Sequence, residues 1–279
     1  MLCQAFLPSP PLQHLVVGYQ LRHFVFDQIG NHPFKPYAAR PEQVMAFLIR
    51  GSEKLEHPSK GVLIERPRSY LAGQYTERTN RHLPSPETIV LLINFHPGVL
   101  HRLTSIPFHR LTNTFVDAED ILPCELRNVN DRLSSAESYT EMIAIIETFL
   151  LGWCRRISGS ETPVDKITNA LLSHPEDMRV WKMATNSFLS MRQFERRFKE
   201  RNGISPNTFL RIARMHKALK TKYRNPAFDW LDVALMCGYH DYQHLARDFR
   251  ALAGALPNEY MGQEMHAPEK YFGLSDSSL

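Results

Sequence analysis

The sequence predicts an α+β fold. A β-rich N-terminal domain, a curled sheet or barrel-like form with some helices, is followed by an all-α domain. Three observations predict it. Short β-branched or aromatic runs, closed off by turn residues, crowd the first part of the chain. Helical periodicity takes over from about Ser138. In the second half one residue pattern recurs at a fixed spacing.

Size and composition set the frame. A chain of 279 residues with 43% hydrophobic and 22% charged residues has room for two globular domains. The net charge of +4 is unevenly spread. Residues 1–177 carry 17 Lys/Arg against 19 Asp/Glu, whereas residues 178–262 carry 15 against 7. A near-neutral half joined to a basic half indicates that the basic half meets a polyanion. Cys3, Cys124, Cys154 and Cys237 form no C-x-x-C pair. They suit reduced thiols in the cytoplasm better than a disulfide framework. Neither a signal peptide nor an apolar run long enough for a membrane span is read, so a cytoplasmic protein is expected.

Strands are expected at residues 14–26, 43–50, 62–65, 69–75 and 88–95. Ser138-Tyr-Thr-Glu141 reads as a capping box that opens an amphipathic helix running to about Ile157. Its stripe of Met142, Ile145, Ile146, Phe149, Leu150 and Trp153 is core or a dimer surface. Ser158-Gly-Ser-Glu-Thr-Pro163 reads as a linker. The domains expected are therefore 1–160, β-rich and regulatory, then 161–263, all helical, with a frayed tail at 264–279.

The repeat carries most of the information. Ser190, Phe194, Arg196, Phe198, Gly203 and Pro206 recur as Asp241, Leu245, Arg247, Phe249, Gly254 and Pro257, each 51 residues on; Phe209 pairs with Tyr260 at the same offset. Ser190 and Asp241 are good N-caps, because a side-chain oxygen can accept free N–H groups of the first turn. The apolar pairs four apart share one helix face. The glycines suit the left-handed residue that ends a helix, and the prolines suit the start of the next. At about 100° per residue, Arg192, Glu195, Arg196 and Lys199 share a face beside the apolar stripe, as do Gln243, Ala246, Arg247 and Arg250. Arg can donate two bonds to guanine, Gln can pair with adenine, and Ala can touch a thymine methyl. Helices expected at 180–185 and 230–236 precede the two copies, which gives two helix-turn-helix units. A long helix at 208–223 would join them, with Arg211, Arg214, Lys217, Lys220 and Lys222 along its outer face.

Residues 178–262 resemble the AraC family DNA-binding domain. The resemblance rests on Ser190…Phe194-Glu-Arg-Arg-Phe198, Gly203-Ile-Ser-Pro206 and Gly238-Tyr-His-Asp241…His244-Leu-Ala-Arg-Asp-Phe249. Ala255-Leu256 before Pro257, and Phe209 where Tyr is common, depart from the pattern. The resemblance implies base-contacting positions at Arg192, Glu195 and Arg196 in the first unit and at Tyr242, Gln243, Ala246 and Arg247 in the second. Glu195 could accept from cytosine N4 or pair with Lys199 four residues on. Residues 95–120, with Phe95-His-Pro-Gly98, Ile106-Pro107, Leu111-Thr-Asn113 and Val116-Asp-Ala-Glu-Asp120, resemble an N-terminal module of some AraC family proteins. That resemblance implies a β-rich unit that senses an effector, dimerises, or does both.

The function expected is a bacterial, sequence-specific transcription regulator bound to double-stranded DNA. A small-molecule effector at the N-terminal domain, a homodimer and, for an activator, a contact with RNA polymerase accompany it. No catalytic residue, metal or cofactor is named. His96, His101 and His109 lack Cys or acidic partners at ligand spacing, and Cys124 is expected to be buried and inert. Two alternatives stand beside this reading: an enzyme with its active site in the β-rich half that is targeted to DNA, and an architectural DNA binder without sequence choice.

Overall fold

The computed structural model describes residues 2–26, 34–157 and 160–268. Strands fill the first part: β1 (Leu2–Phe6), β2 (Val16–Val25), β3 (Lys35–Tyr37), β4 (Gln43–Arg50), β5 (Lys54–His57), β6 (Val62–Glu65), β7 (Ser69–Ala72), β8 (Thr79–His82), β9 (Glu87–Phe95) and β10 (Phe115–Asp117). They form two antiparallel sheets. One has the order β1-β2-β9-β4-β7-β10, the other β3-β8-β5-β6, and neither closes into a barrel.

The central strands explain themselves. In β4 and β9 alternate residues point to opposite faces, and both faces are covered. Met45, Phe47, Leu91 and Ile93 pack under helices. Ala46, Leu48 and Val90 face the opposite way with Tyr70 and Ala72. Strands buried on both sides read as continuous apolar runs. The helices covering the first face are α1 (Val99–Thr104), α2 (Pro123–Ser135) and α3 (Tyr139–Cys154). In α3 Met142, Ile145, Ile146, Leu150 and Trp153 are buried, so most of the expected stripe is core.

Two expectations about this region need correction. The Ser138 hydroxyl accepts from Glu141 N–H, but the Glu141 carboxylate takes Glu137 N–H at 2.9 Å rather than Ser138 N–H. The box is thus half formed, and the helix stops at Cys154. Cys124 is exposed, because it lies on the outer side of the first turn of α2. In the expected linker, Ser158 and Gly159 lie outside the described residues.

The second half is helical: α4 (Pro163–Ser173), α5 (Val180–Asn186), α6 (Met191–Asn202), α7 (Pro206–Arg224), α8 (Trp230–Met236), α9 (Tyr242–Ala253) and α10 (Pro257–Glu264). Their shared core contains Phe194, Phe198, Phe209, Leu245, Phe249 and Tyr260, so the repeated apolar positions meet. Ala38 and Ala39, from the N-terminal half, belong to the same core. Glu264, expected to open a frayed tail, is instead the last residue of α10. Glu264 is buried beside the Tyr260 hydroxyl, Ala267 is buried too, and residues 269–279 lie outside the described residues.

Candidate nucleic-acid interface

Each repeat builds the same device. In the first unit α5 leads by a tight turn into α6. The Ser190 hydroxyl accepts from Gln193 N–H at 3.4 Å, and Gln193 Oε1 accepts from Ser190 N–H at 3.2 Å, a complete capping box. In the second, α8 leads into α9, where Asp241 Oδ1 accepts from His244 N–H at 2.7 Å. Gly203 (φ 88°) and Gly254 (φ 71°) take positive φ at the helix ends, and Pro206 and Pro257 start α7 and α10.

The outward faces differ in content. Arg192, Glu195, Arg196 and Lys199 of α6 are all exposed, and none of them makes an ion pair among the described residues. The Glu195–Lys199 pair, one of the two roles open for Glu195, is therefore not formed. On α9, Gln243, Arg247 and Arg250 are exposed, and Tyr242 is half-buried against the core. Ala246 is the exception. It keeps 6% of its surface, because it lies only about 60° around the helix from the buried Phe249. The methyl is screened by its neighbours, and we remove it from the outward set.

The long joining helix corrects a second reading. Its five cations were expected to form a basic outer face; four of them are instead engaged by other groups of the chain. Arg211 pairs with Asp248 at 2.8 Å. Arg214 donates to the carbonyls of Pro175 and Met178. Lys217 lies 2.5 Å from Glu176, and Lys222 holds the carbonyls of Pro226 and Phe228. Burial first, with Arg179 adding, holds the Arg214 guanidinium below its usual range. The Tyr239 hydroxyl donates to Asp248 at 3.2 Å, and burial together with that carboxylate pushes its phenol well up. Asp248 thus locks the second unit to α7. The first unit is locked differently. Arg201, at the end of α6, donates Nε and Nη2 to Asp165 of α4 at 2.5 and 2.6 Å.

The N-terminal half grips both units at corresponding points. The Arg201 carbonyl accepts from the Gln43 side chain at 2.9 Å. The Leu252 carbonyl, 51 residues on, accepts from Ala39 N–H at 2.9 Å. Thr112 donates to the Gly203 carbonyl at 2.9 Å, and a Cβ on Gly254 would come within 3.1 Å of Arg78 Cδ. Tyr260 Oη accepts from Ala38 N–H at 3.0 Å. Between the halves lies a cleft of about 530 Å³. Phe6, Leu7 and Val17 form one wall, and Lys217, Lys220 and Arg224 of α7 the other. Burial lowers the Lys220 pKa, Glu42 opposes the shift, and Arg40 and Arg224 reinforce it.

His174, Glu176 and Asp177 are the one group of three metal-type side chains lying together among the described residues. Glu176 is already engaged by Lys217 and His174. No helix among the described residues is long and apolar enough to cross a membrane.

Two capped helices with exposed cationic faces, each behind a short partner helix and joined by one long helix, define a tandem helix-turn-helix DNA-binding domain. Residues 183–263 match a family model described as a helix-turn-helix domain, and this region is an AraC-type helix-turn-helix domain. The chain is 27% identical over 181 residues to the HTH-type transcriptional regulator MtrA of Neisseria gonorrhoeae. That match takes in 63% of this chain and 56% of MtrA, so just over half of the relative's length is spanned. Among solved structures, ToxT of Vibrio cholerae is similar over 88% of this chain and 98% of its own, with 13% identity and a TM-score of 0.49. The DNA-binding domain of AdpA, solved in complex with a target DNA, is similar over 38% of this chain and 95% of its own, at 25% identity and a TM-score of 0.35.

Proposed function

We propose that this protein is a sequence-specific transcription regulator that reads two successive major-groove segments with α6 and α9. One observation carries the reading. In two repeats offset by 51 residues the arginines of the outward faces, Arg196 and Arg247, occupy the same position and stay exposed without ion pairs, whereas Arg211, Arg214, Lys217 and Lys222 of α7 are engaged by other groups of the chain. Arg192, Glu195, Arg196, Tyr242, Gln243 and Arg247 would meet bases, and Lys199 and Arg250 phosphates. With Lys199 unpaired to it, Glu195 is left to accept from cytosine N4.

The N-terminal half would then control how the two units are presented, since it holds the ends of both α6 and α9. An effector in the interdomain cleft could act on this arrangement. Apolar strand residues opposite Lys217, Lys220 and Arg224 suit an amphipathic anion. A homodimer in the cytoplasm and, for an activator, contact with RNA polymerase complete the proposal.

The test is selection from random double-stranded DNA by the full chain at about physiological salt, followed by sequencing. The reading expects a motif of two short blocks about one helical turn, roughly 34 Å, apart. Binding without a motif would support the architectural alternative. No binding even at low salt would overturn the proposal.

A further inference from the structure

The turn before α6 carries an oddity that its repeat does not share. Phe188 adopts φ 55°, in the left-handed region where an L side chain is strained, and is 92% exposed. In the second unit the positive φ falls on Gly238 (φ 80°). The residue after it, Tyr239, is 8% exposed, and its counterpart after Phe188, Leu189, packs against the same core. Phe188 and Gly238 are the same position of the turn: each N–H donates to the carbonyl three residues back, and the next N–H, of Leu189 or Tyr239, donates to the carbonyl of Ala184 or Ala234. One copy places there the glycine that sits without strain; the other holds a phenylalanine ring in solvent on a strained backbone. The turn itself is well made. Phe188 N–H donates to the Thr185 carbonyl at 2.9 Å and Leu189 N–H to the Ala184 carbonyl at 3.2 Å. The conformation is thus fixed by its surroundings, and the side chain is what differs. Strain held by a surrounding structure, with no internal packing to justify the residue, points to use by a partner.

Position names the partner. Phe188 stands two residues before Ser190, the N-cap of α6. The N-terminal end of a recognition helix is the end that approaches the base edges. The local charge fits the same partner, since Lys182, Arg192, Arg196 and Arg197 flank the turn in the two helices that it joins. Met191, the first residue of α6, is 41% exposed and continues the apolar edge.

We propose that Phe188 is a DNA-contacting residue of the first unit, laid against deoxyribose and thymine methyls at the rim of the major groove. The proposal rests on the regulator reading above and adds to it a contact without charge, one that shapes sequence preference rather than salt dependence. It also assigns the two units unequal roles. The first reads with a charged helix face plus an apolar rim; the second reads with its helix face alone.

The test uses the full chain with Phe188→Gly and Phe188→Asn, both compatible with positive φ. Relief of strain should raise the thermal midpoint of Phe188→Gly by about 2–6 °C. Loss of the ring should weaken binding to the selected site about five- to tenfold in both variants, with most of the loss at positions flanking the first block. The slope of log K against log salt should not change, because no phosphate contact is removed. A more stable protein that binds more weakly at the wild-type salt slope would be the expected result. Unchanged affinity in both variants would overturn the proposal while leaving the regulator reading intact. Failure of the wild-type chain to select a motif would instead bring down the reading on which the proposal rests.

Discussion

Removing the Asp165 carboxylate should loosen the first reading unit and test how it is held. Asp165 has 2% of its side chain exposed and Arg201 13%. The carboxylate accepts two bonds from Arg201 at 2.5 and 2.6 Å, and two more from the Thr162 backbone and hydroxyl at 2.9 and 2.8 Å. Asp165→Ala leaves the guanidinium without its counter-charge and opens the capping box of α4. Breaking a buried pair on one side costs about 3–5 kcal/mol, and a lost cap about 1 kcal/mol. Because both losses share one carboxylate they overlap, and about 3–5 kcal/mol is the expected total. The double variant Asp165→Leu/Arg201→Met, which leaves no orphan charge, should recover most of it. Urea unfolding of the full chain followed by circular dichroism measures both. Hydrogen exchange should show the loss concentrated in α4 and α6. A loss below about 1 kcal/mol for Asp165→Ala would refute the reasoning, since an exposed, solvated pair behaves that way.

Three further outcomes follow from the same geometry. Arg196→Ala and Arg247→Ala should each weaken binding to the preferred site by about 1–3 kcal/mol in titrations on selected DNA, with preference relaxed in the block each one reads. Gly73→Ala should destabilise the β-domain by about 3 kcal/mol in thermal unfolding, because the added Cβ would fall 1.8 Å from the Leu111 carbonyl oxygen. His57 is buried, and that burial, with Lys60 adding to it and Glu77 opposing, lowers its pKa below the ordinary 6.5. The folded state thus resists a proton that the unfolded state accepts. Its contribution is complete above pH 6.5 and fades as the pH drops below it, so His57→Gln should flatten the fall in midpoint on acidification.

What could be read in the sequence divides along physical lines. Where one face of an element is apolar and its ends carry caps, local pattern was enough. The second helix pair was expected at 230–236, and α8 is Trp230–Met236; β4 and β9 announced themselves because both of their faces are buried. β3, β5 and β8 were not found. Their residues Lys35, Thr79, Asn80, Arg81 and His57 are buried yet polar, and Thr79 and Arg81 line a small cavity with Arg66 and Glu53, so no hydrophobic alternation marks these strands. Periodicity placed the cations of α7 on one face but could not say that Glu176 and Asp248 would be waiting there. The wheel that found the outward faces also mislaid Ala246, which sits at their margin, where a rotation of about 60° separates core from surface. Asp165 was missed altogether. The signal was present in Thr162-Pro-Val-Asp165, a capping sequence at the mouth of α4, but its partner Arg201 lies 36 residues away.

The two units are near copies in sequence but are secured in different ways, and that difference bears on control. The second is tied to α7 by Arg211–Asp248, a pair whose arginine is 47% exposed, and to the N-terminal half through Ala38, Ala39 and Tyr260. The first is tied by the buried Asp165–Arg201 pair, with Gly98 of the N-terminal half packed so close that a Cβ there would lie 2.0 Å from Asp165 Oδ1. Movement of the 95–98 turn would therefore act directly on the residue that anchors α6, whereas movement of the 36–39 segment would act on α9. Phe95 ends β9 and lines the interdomain cleft; Glu42 and Gln43, which follow the 36–39 segment, line it as well. A molecule seated in that cleft touches the approaches to both anchors at once. Because packed interfaces shift between discrete arrangements rather than bending smoothly, such a molecule would favour one spacing of α6 and α9 over another. Spacing is the property on which a bipartite DNA site discriminates.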